Sequence, residues 1–188
     1  MTGAILLTHG AGSDCDSPLL LDLDRAFSDA GLKVVRYNLP YRQKRPTGPP
    51  MRGGAELDRL GLADAVDSLR AQVSGPVFLG GHSYGGRQST ILASEQPTLA
   101  DGLLLLSYPL HPPRKPEDLR TAHFPDLRTP SLFVHGTRDP FGSIAEMETA
   151  LQLVPAEHQL VSLEGAGHEL KDATRIVPAF LDFFAGLR

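Results

Sequence analysis

The sequence predicts an α/β protein: an open, six-stranded, mainly parallel sheet with helices on both faces. Three observations predict it. Short apolar runs without polar alternation recur along the chain, the pattern of strands buried on both faces. Amphipathic segments at helical spacing separate them, so successive strands are joined by crossovers and run parallel. The residues suited to chemistry fall just after the strands, where open α/β sheets bind their ligands.

Gly3–Thr8 (GAILLT) is the first such run, and it ends in His9-Gly10-Ala11-Gly12. Ser17 and Pro18 open a helix as N-cap and first helical residue. Leu19, Leu20, Leu23, Ala26, Phe27 and Ala30 follow at helical spacing, and Gly31 closes it. Lys33–Leu39 is the second strand. Pro40–Gly54, rich in Pro, Gly, Arg and Lys, shows neither period and reads as a long loop, a kind that tends to be functional or mobile. Ala55–Val73 is helical, with Leu57, Leu60, Leu62, Ala65, Val66 and Leu69 as its apolar stripe. Pro76–Leu79 is the third strand, and Arg87–Glu95 the helix after its turn. Asp101–Ser107 is the fourth strand. Tyr108–Pro116 is too proline-rich for regular structure, and Glu117–Ala122 has room for one helical turn. Ser131–His135 is the fifth strand. The Ser143–Leu153 helix opens with Ser143 and Glu146 in capping-box spacing. Gln159–Leu163 is the last strand. Thr174–Leu187 is the closing helix, with Ile176, Val177, Phe180, Leu181 and Phe184 inward.

The chain has 188 residues, which fits one domain spanning 1–188 with a proper core. A hydrophobic fraction of 41% against 21% charged marks it as globular. The net charge of −4 argues against a nucleic-acid surface. A single cysteine, Cys15, excludes an internal disulfide and fits a reducing cytosol. No basic region precedes the first apolar run, so no signal peptide is read. The longest apolar runs are too short to span a bilayer. The expectation is a cytoplasmic protein without nucleic-acid or membrane partners, its oligomeric state open.

Gly81, Ser83 and Gly85 form G-x-S-x-G between a strand and a helix, the setting of a nucleophile elbow. The turn is so sharp that residues two before and two after the serine must lack bulk, and glycine satisfies both. A serine hydroxyl is a weak nucleophile. It needs a base, usually histidine, and a carboxylate to fix that base's tautomer. Asp139 follows the fifth strand and His168 the sixth, in the chain order serine, acid, histidine. Asp139-Pro140 also suits an ordinary turn, His168 an ordinary loop, and Glu164 and Glu169 are rival acids. An oxyanion would be held by the Tyr84 N–H and by one from the first loop, the Ala11 N–H before those of Gly10 or Gly12. No phosphate-binding glycine pattern or metal-ligand spacing is present, so no cofactor or metal is expected. His9, His82 and His135 read as structural hydrogen-bonders, and Cys15 as a packed side chain. Arg36, Arg87 and Arg138 would either bind an anionic substrate or pair with the abundant acids.

With those residues identified, the chain resembles the α/β-hydrolase superfamily along its whole length. It resembles more closely the small dienelactone-hydrolase-like group, which includes hydrolase-like testis-expressed proteins and a hydrolase-like subunit of a histone acetyltransferase complex. The resemblance rests on Thr8–Asp14, Val34–Arg42, Gly80–Arg87, Ser107–Arg120, His135–Gly142 and the Gly167-His168 turn. It implies Ser83, His168 and Asp139 as a catalytic triad. It also implies a minimal fold that lacks two leading antiparallel strands and a lid domain. The expected activity is cleavage of a small carboxylic ester or thioester. The alternative is a non-catalytic scaffold, whose binding surface would be the proline-rich loops Pro40–Gly54 and Tyr108–Pro116.

Overall fold

The computed structural model describes residues 3–171 and 173–187; residues 1, 2, 172 and 188 of the predicted 1–188 span lie outside the described residues. The strands are β1 (Gly3–Thr8), β2 (Leu32–Tyr37), β3 (Val77–His82), β4 (Gly102–Leu106), β5 (Ser131–Gly136) and β6 (His158–Leu163). They form one sheet in the order β2-β1-β3-β4-β5-β6, and every neighbouring pair is parallel. The helices are α1 (Pro18–Asp29), α2 (Pro40–Lys44), α3 (Ala55–Arg70), α4 (Tyr84–Glu95), α5 (Ile144–Leu151) and α6 (Ala173–Gly186).

Period-two alternation within each strand divides the core in two. Ile5, Leu7, Phe78, Leu104, Leu106, Leu132 and Val134 pack under Leu20, Leu23 and Phe27 of α1 and Ile176, Phe180 and Phe184 of α6. Ala4, Leu6, Leu79, Leu103, Leu105 and Phe133 pack on the other face under α3, α4 and α5. Both faces are therefore covered, which is why these strands carry no polar alternation. Gly102 lies against the Phe184 ring, where a Cβ would come within 2.1 Å of Cε1. The predicted caps fall at the predicted places. Ser143 Oγ accepts from the Glu146 N–H while the Glu146 carboxylate accepts from the Ser143 N–H at 2.8 Å. Ser17 occupies the N-cap of α1, but its hydroxyl does not cap it.

Four readings are corrected. Pro40–Lys44, the start of the expected loop, is helical, because Pro40 stands at a first helical position where its missing N–H costs nothing. Glu117–Ala122 forms no helical turn; a short 3₁₀ turn lies instead at Phe124–Asp126. Leu57 and Leu60 do not join the α3 stripe, being 53% and 54% exposed, while Leu62, Ala63, Val66 and Leu69 face the sheet. Gly80-Gly81-His82 belongs to β3 rather than to the turn, and α4 begins directly at Tyr84.

Candidate active site

The β3–α4 junction compresses strand and helix around one residue. Ser83 has φ 50° and ψ −113°, a left-handed conformation that costs a non-glycine residue on the order of 1–3 kcal/mol. The flanking glycines show what enforces it. A Cβ on Gly81 would lie 2.4 Å from the Gly86 nitrogen, and one on Gly85 would lie 2.6 Å from the His9 carbonyl oxygen. The elbow is thus closed by backbone against backbone. It is tied down by the Ser83 N–H donating to Leu106 O at 2.8 Å and the Gly85 N–H to His9 O at 3.2 Å.

The loops after β5 and β6 bring the other two predicted residues to the serine. Gly136 lets the turn after β6 approach, since a Cβ there would meet Ala166 O at 2.4 Å. The Thr137 N–H donates to Leu163 O and the Arg138 N–H to Ala166 O, at 3.1 and 2.9 Å. So clamped, Asp139 Oδ2 stands 2.8 Å from His168 Nδ1, and His168 Nε2 stands 2.8 Å from Ser83 Oγ. A carboxylate can only accept, so Nδ1 carries the ring proton and Nε2 is left to accept from the serine hydroxyl. The Asp139 side chain is fully buried and His168 is 16% exposed. Burial would raise the Asp139 pKa. The His168 hydrogen bond and charge outweigh it, with the Phe141 N–H and His135 adding, and hold the carboxyl below its usual value. His168 Nδ1 meets Asp139 and neither rival: Glu164 and Glu169 are exposed on the same turn. Phe141, a residue the sequence reading did not single out, lies over the imidazole with ring centroids 4.3 Å apart.

A cleft of about 350 Å³ opens here, lined by Ser83, His168, Phe141, Glu169 and the loop from Gly10 to Ser13. Among the described residues, neither the Ala11 nor the Tyr84 N–H donates to a protein acceptor. The three other strand-end histidines hold loops together. His9 bonds Gly10 O and the Leu39 N–H, His82 Nε2 donates to His168 O, and His135 Nε2 donates to Gly142 O. Burial lowers the pKa of each. Arg36 is taken up by Asp16 and Asp24 and by Cys15 O. Arg138 is exposed. Arg87 Nε is buried without a hydrogen-bond partner, its charge bearing on Tyr108, Arg120 and His123. The described residues hold no group of three or more His, Cys, Asp or Glu placed to bind a metal, and no helix long and apolar enough to cross a membrane.

A family model described as an alpha/beta hydrolase domain matches residues 1–176. The chain belongs to the α/β-hydrolase superfamily. Among curated relatives it is similar to ABHD14B of Pongo abelii, a protein named as a candidate protein-lysine deacylase. Identity is 28%, covering 98% of this chain and 84% of that one. The human ABHD14B is 26% identical with the same coverage. Among solved structures the hydrolase fold recurs in a dienelactone hydrolase from Anabaena variabilis, with TM-score 0.78 and 23% identity over 98% of this chain and 86% of that one. It recurs again in Est1E from Butyrivibrio proteoclasticus, with TM-score 0.78 and 13% identity over 98% and 89%. This α/β-hydrolase has the all-parallel six-stranded sheet, with no lid domain evident among the described residues.

Proposed function

We propose that this α/β-hydrolase is a serine hydrolase that cleaves a small carboxylic ester or thioester. The observation that carries the reading is the continuous relay Asp139–His168–Ser83, two contacts of 2.8 Å ending at a strained serine on the edge of a cleft. Ser83 Oγ attacks the acyl carbon while His168 Nε2 takes its proton, and the buried Asp139 carboxylate stabilises the imidazolium. The carbonyl oxygen gains a negative charge, which the unengaged Ala11 and Tyr84 N–H groups would hold; each such donor is worth about 3–4 kcal/mol of barrier. The imidazolium then protonates the leaving alkoxide or thiolate. Water, deprotonated by the same histidine, releases the acid from the acyl-enzyme and frees Ser83. The open cleft suits small acyl substrates.

A second reading has a specific support, the deacylase name carried by the ABHD14B relatives. An acylated lysine would react through the same steps, except that the leaving amine requires the imidazolium proton as it departs. A fluorophosphonate probe should label the wild type and not Ser83→Ala, and short p-nitrophenyl ester hydrolysis should vanish in His168→Ala. Absence of labelling in a folded wild type would leave the scaffold alternative standing. Comparing an acetyl ester, an acetyl thioester and an acetyl-lysine peptide of equal length would rank the leaving groups.

A further inference from the structure

Tyr41, Arg42 and Asp58 lie outside the Ser83–His168–Asp139 relay, and the side chain of Tyr84 takes no part in it. The structure joins all four beneath the oxyanion loop. Asp58 is fully buried on α3. Its Oδ1 accepts the Tyr41 N–H at 3.0 Å, and its Oδ2 accepts the Tyr84 hydroxyl at 2.8 Å. The Tyr41 and Tyr84 rings meet edge to face, with centroids 5.8 Å apart. The Tyr41 hydroxyl in turn reaches Gly10 O at 3.1 Å and Ala11 O at 2.9 Å. Arg42, 5% exposed, donates to Ala11 O at 3.1 Å and to Ser13 O at 2.8 Å. Its guanidinium lies 5.0 Å from the Tyr41 ring centroid. Gly61 makes the arrangement possible: a Cβ there would strike Pro40 Cγ at 2.5 Å and push α2 off α3.

The consequence follows from peptide geometry. In a trans peptide the C=O and the following N–H point in opposite directions. Gripping the Gly10 carbonyl from the Tyr41 side therefore turns the Ala11 N–H the other way, toward the cleft that Gly10, Ala11 and Ser83 line. At the other end, the Asp58 bond holds the side chain of Tyr84, the first residue of α4, whose N–H is the second candidate donor. One buried carboxylate thus sets both donors relative to each other. A carboxylate kept from water costs stability unless its oxygens are satisfied, and here both are spent on Tyr41 and Tyr84.

We propose that Tyr41, Arg42 and Asp58 are positioning residues that aim the Ala11 and Tyr84 N–H groups at the developing oxyanion. The inference rests on the serine-hydrolase reading, and its test separates the two. Tyr41→Phe deletes one hydroxyl and keeps the ring. On p-nitrophenyl acetate, with active sites counted by fluorophosphonate, it should lower kcat about 10- to 100-fold with KM nearly unchanged, short of the ~10²–10³ lost with a donor itself. Affinity for an aryl trifluoromethyl ketone, which presents an oxyanion, should fall by the same factor. The acid limb of the kcat/KM pH profile should stay in place. Asp58→Asn, which keeps an acceptor for only one tyrosine, should fall at least as far; if it does not fold, Tyr41→Phe carries the test. A Tyr41→Phe protein with kcat and ketone affinity within about twofold of wild type would overturn the proposal while leaving Ser83 catalysis intact. A wild type that neither turns over ester nor binds ketone would instead remove the hydrolase reading. The bracing is then decided by ¹⁵N relaxation, where Ala11 and Tyr84 amides that loosen in Tyr41→Phe support it and unchanged amides overturn it.

Discussion

Asp139→Asn is isosteric, yet the surroundings dictate which way the new amide must face. Asp139 Oδ1 accepts the Phe141 N–H at 2.9 Å, and Oδ2 accepts His168 Nδ1 at 2.8 Å. Both partners are donors. In the variant, the Phe141 N–H has no freedom to reverse, so the amide oxygen stays with it and the NH₂ turns toward His168. The imidazole then accepts at Nδ1 and carries its proton on Nε2, facing Ser83 Oγ with a hydrogen where a lone pair is needed. On the proposed mechanism the geometry survives and the base does not. A wrong tautomer of this kind costs about 10⁴ in kcat, or about 5 kcal/mol of transition-state stabilisation. The polar atoms of the site remain paired, so the melting temperature should move little. Turnover of p-nitrophenyl acetate beside a thermal melt makes the measurement. A folded Asp139→Asn enzyme within about tenfold of wild-type kcat would refute the assignment of Asp139 as the orienting acid.

Gly81→Ala should destabilise the fold by about 3 kcal/mol or more, because the added Cβ meets main-chain atoms of Gly85 and Gly86 that have no side chain to move aside; a urea midpoint near wild type would contradict the elbow packing. Leu62→Ala should cost about 2–5 kcal/mol, whereas Leu57→Ala, at a half-exposed position, should stay within ~0.5 kcal/mol; equal losses in denaturant melts would mean that α3 faces the sheet differently. Acid should weaken the protein early. Burial depresses the pKa values of His9, His82 and His135, and brings His123 to about 4. The unfolded chain takes up these protons below about pH 6.5 and the folded one does not. Stability is therefore full above that pH and declines as pH falls through the window, and only below about pH 3.9 does loss of the Asp139 contribution add to it. Urea midpoints that are flat between about pH 7.5 and 5 would count against neutral buried histidines.

Much of this chain is legible from side-chain pattern because its signals are local. Six apolar runs, the G-x-S-x-G glycines, the Ser143–Glu146 cap and the order serine, acid, histidine are each set by neighbours within a few residues. Where local signals compete, side-chain pattern misleads. Gly80 and Gly81 look like turn residues, yet β3 runs through them because β1 and β4 pair on both sides. Leu57 and Leu60 fit a helical stripe, but α3 turns its Leu62–Val66 face to the sheet.

Local pattern sets the succession of parallel strands, the strained serine and the residue types available to it, since backbone sterics and hydrophobic period act over short spans. Contacts across the fold settle which acid meets His168, and bring Asp58, Tyr41 and Arg42 to the loop after β1. Asp139 and His168 lie 29 positions apart, as do Arg42 and Ser13, and Tyr84 and Asp58 lie 26 apart. Such contacts depend on how loops from different strands converge at one sheet edge, a matter of crossover packing that no run of neighbouring residues encodes.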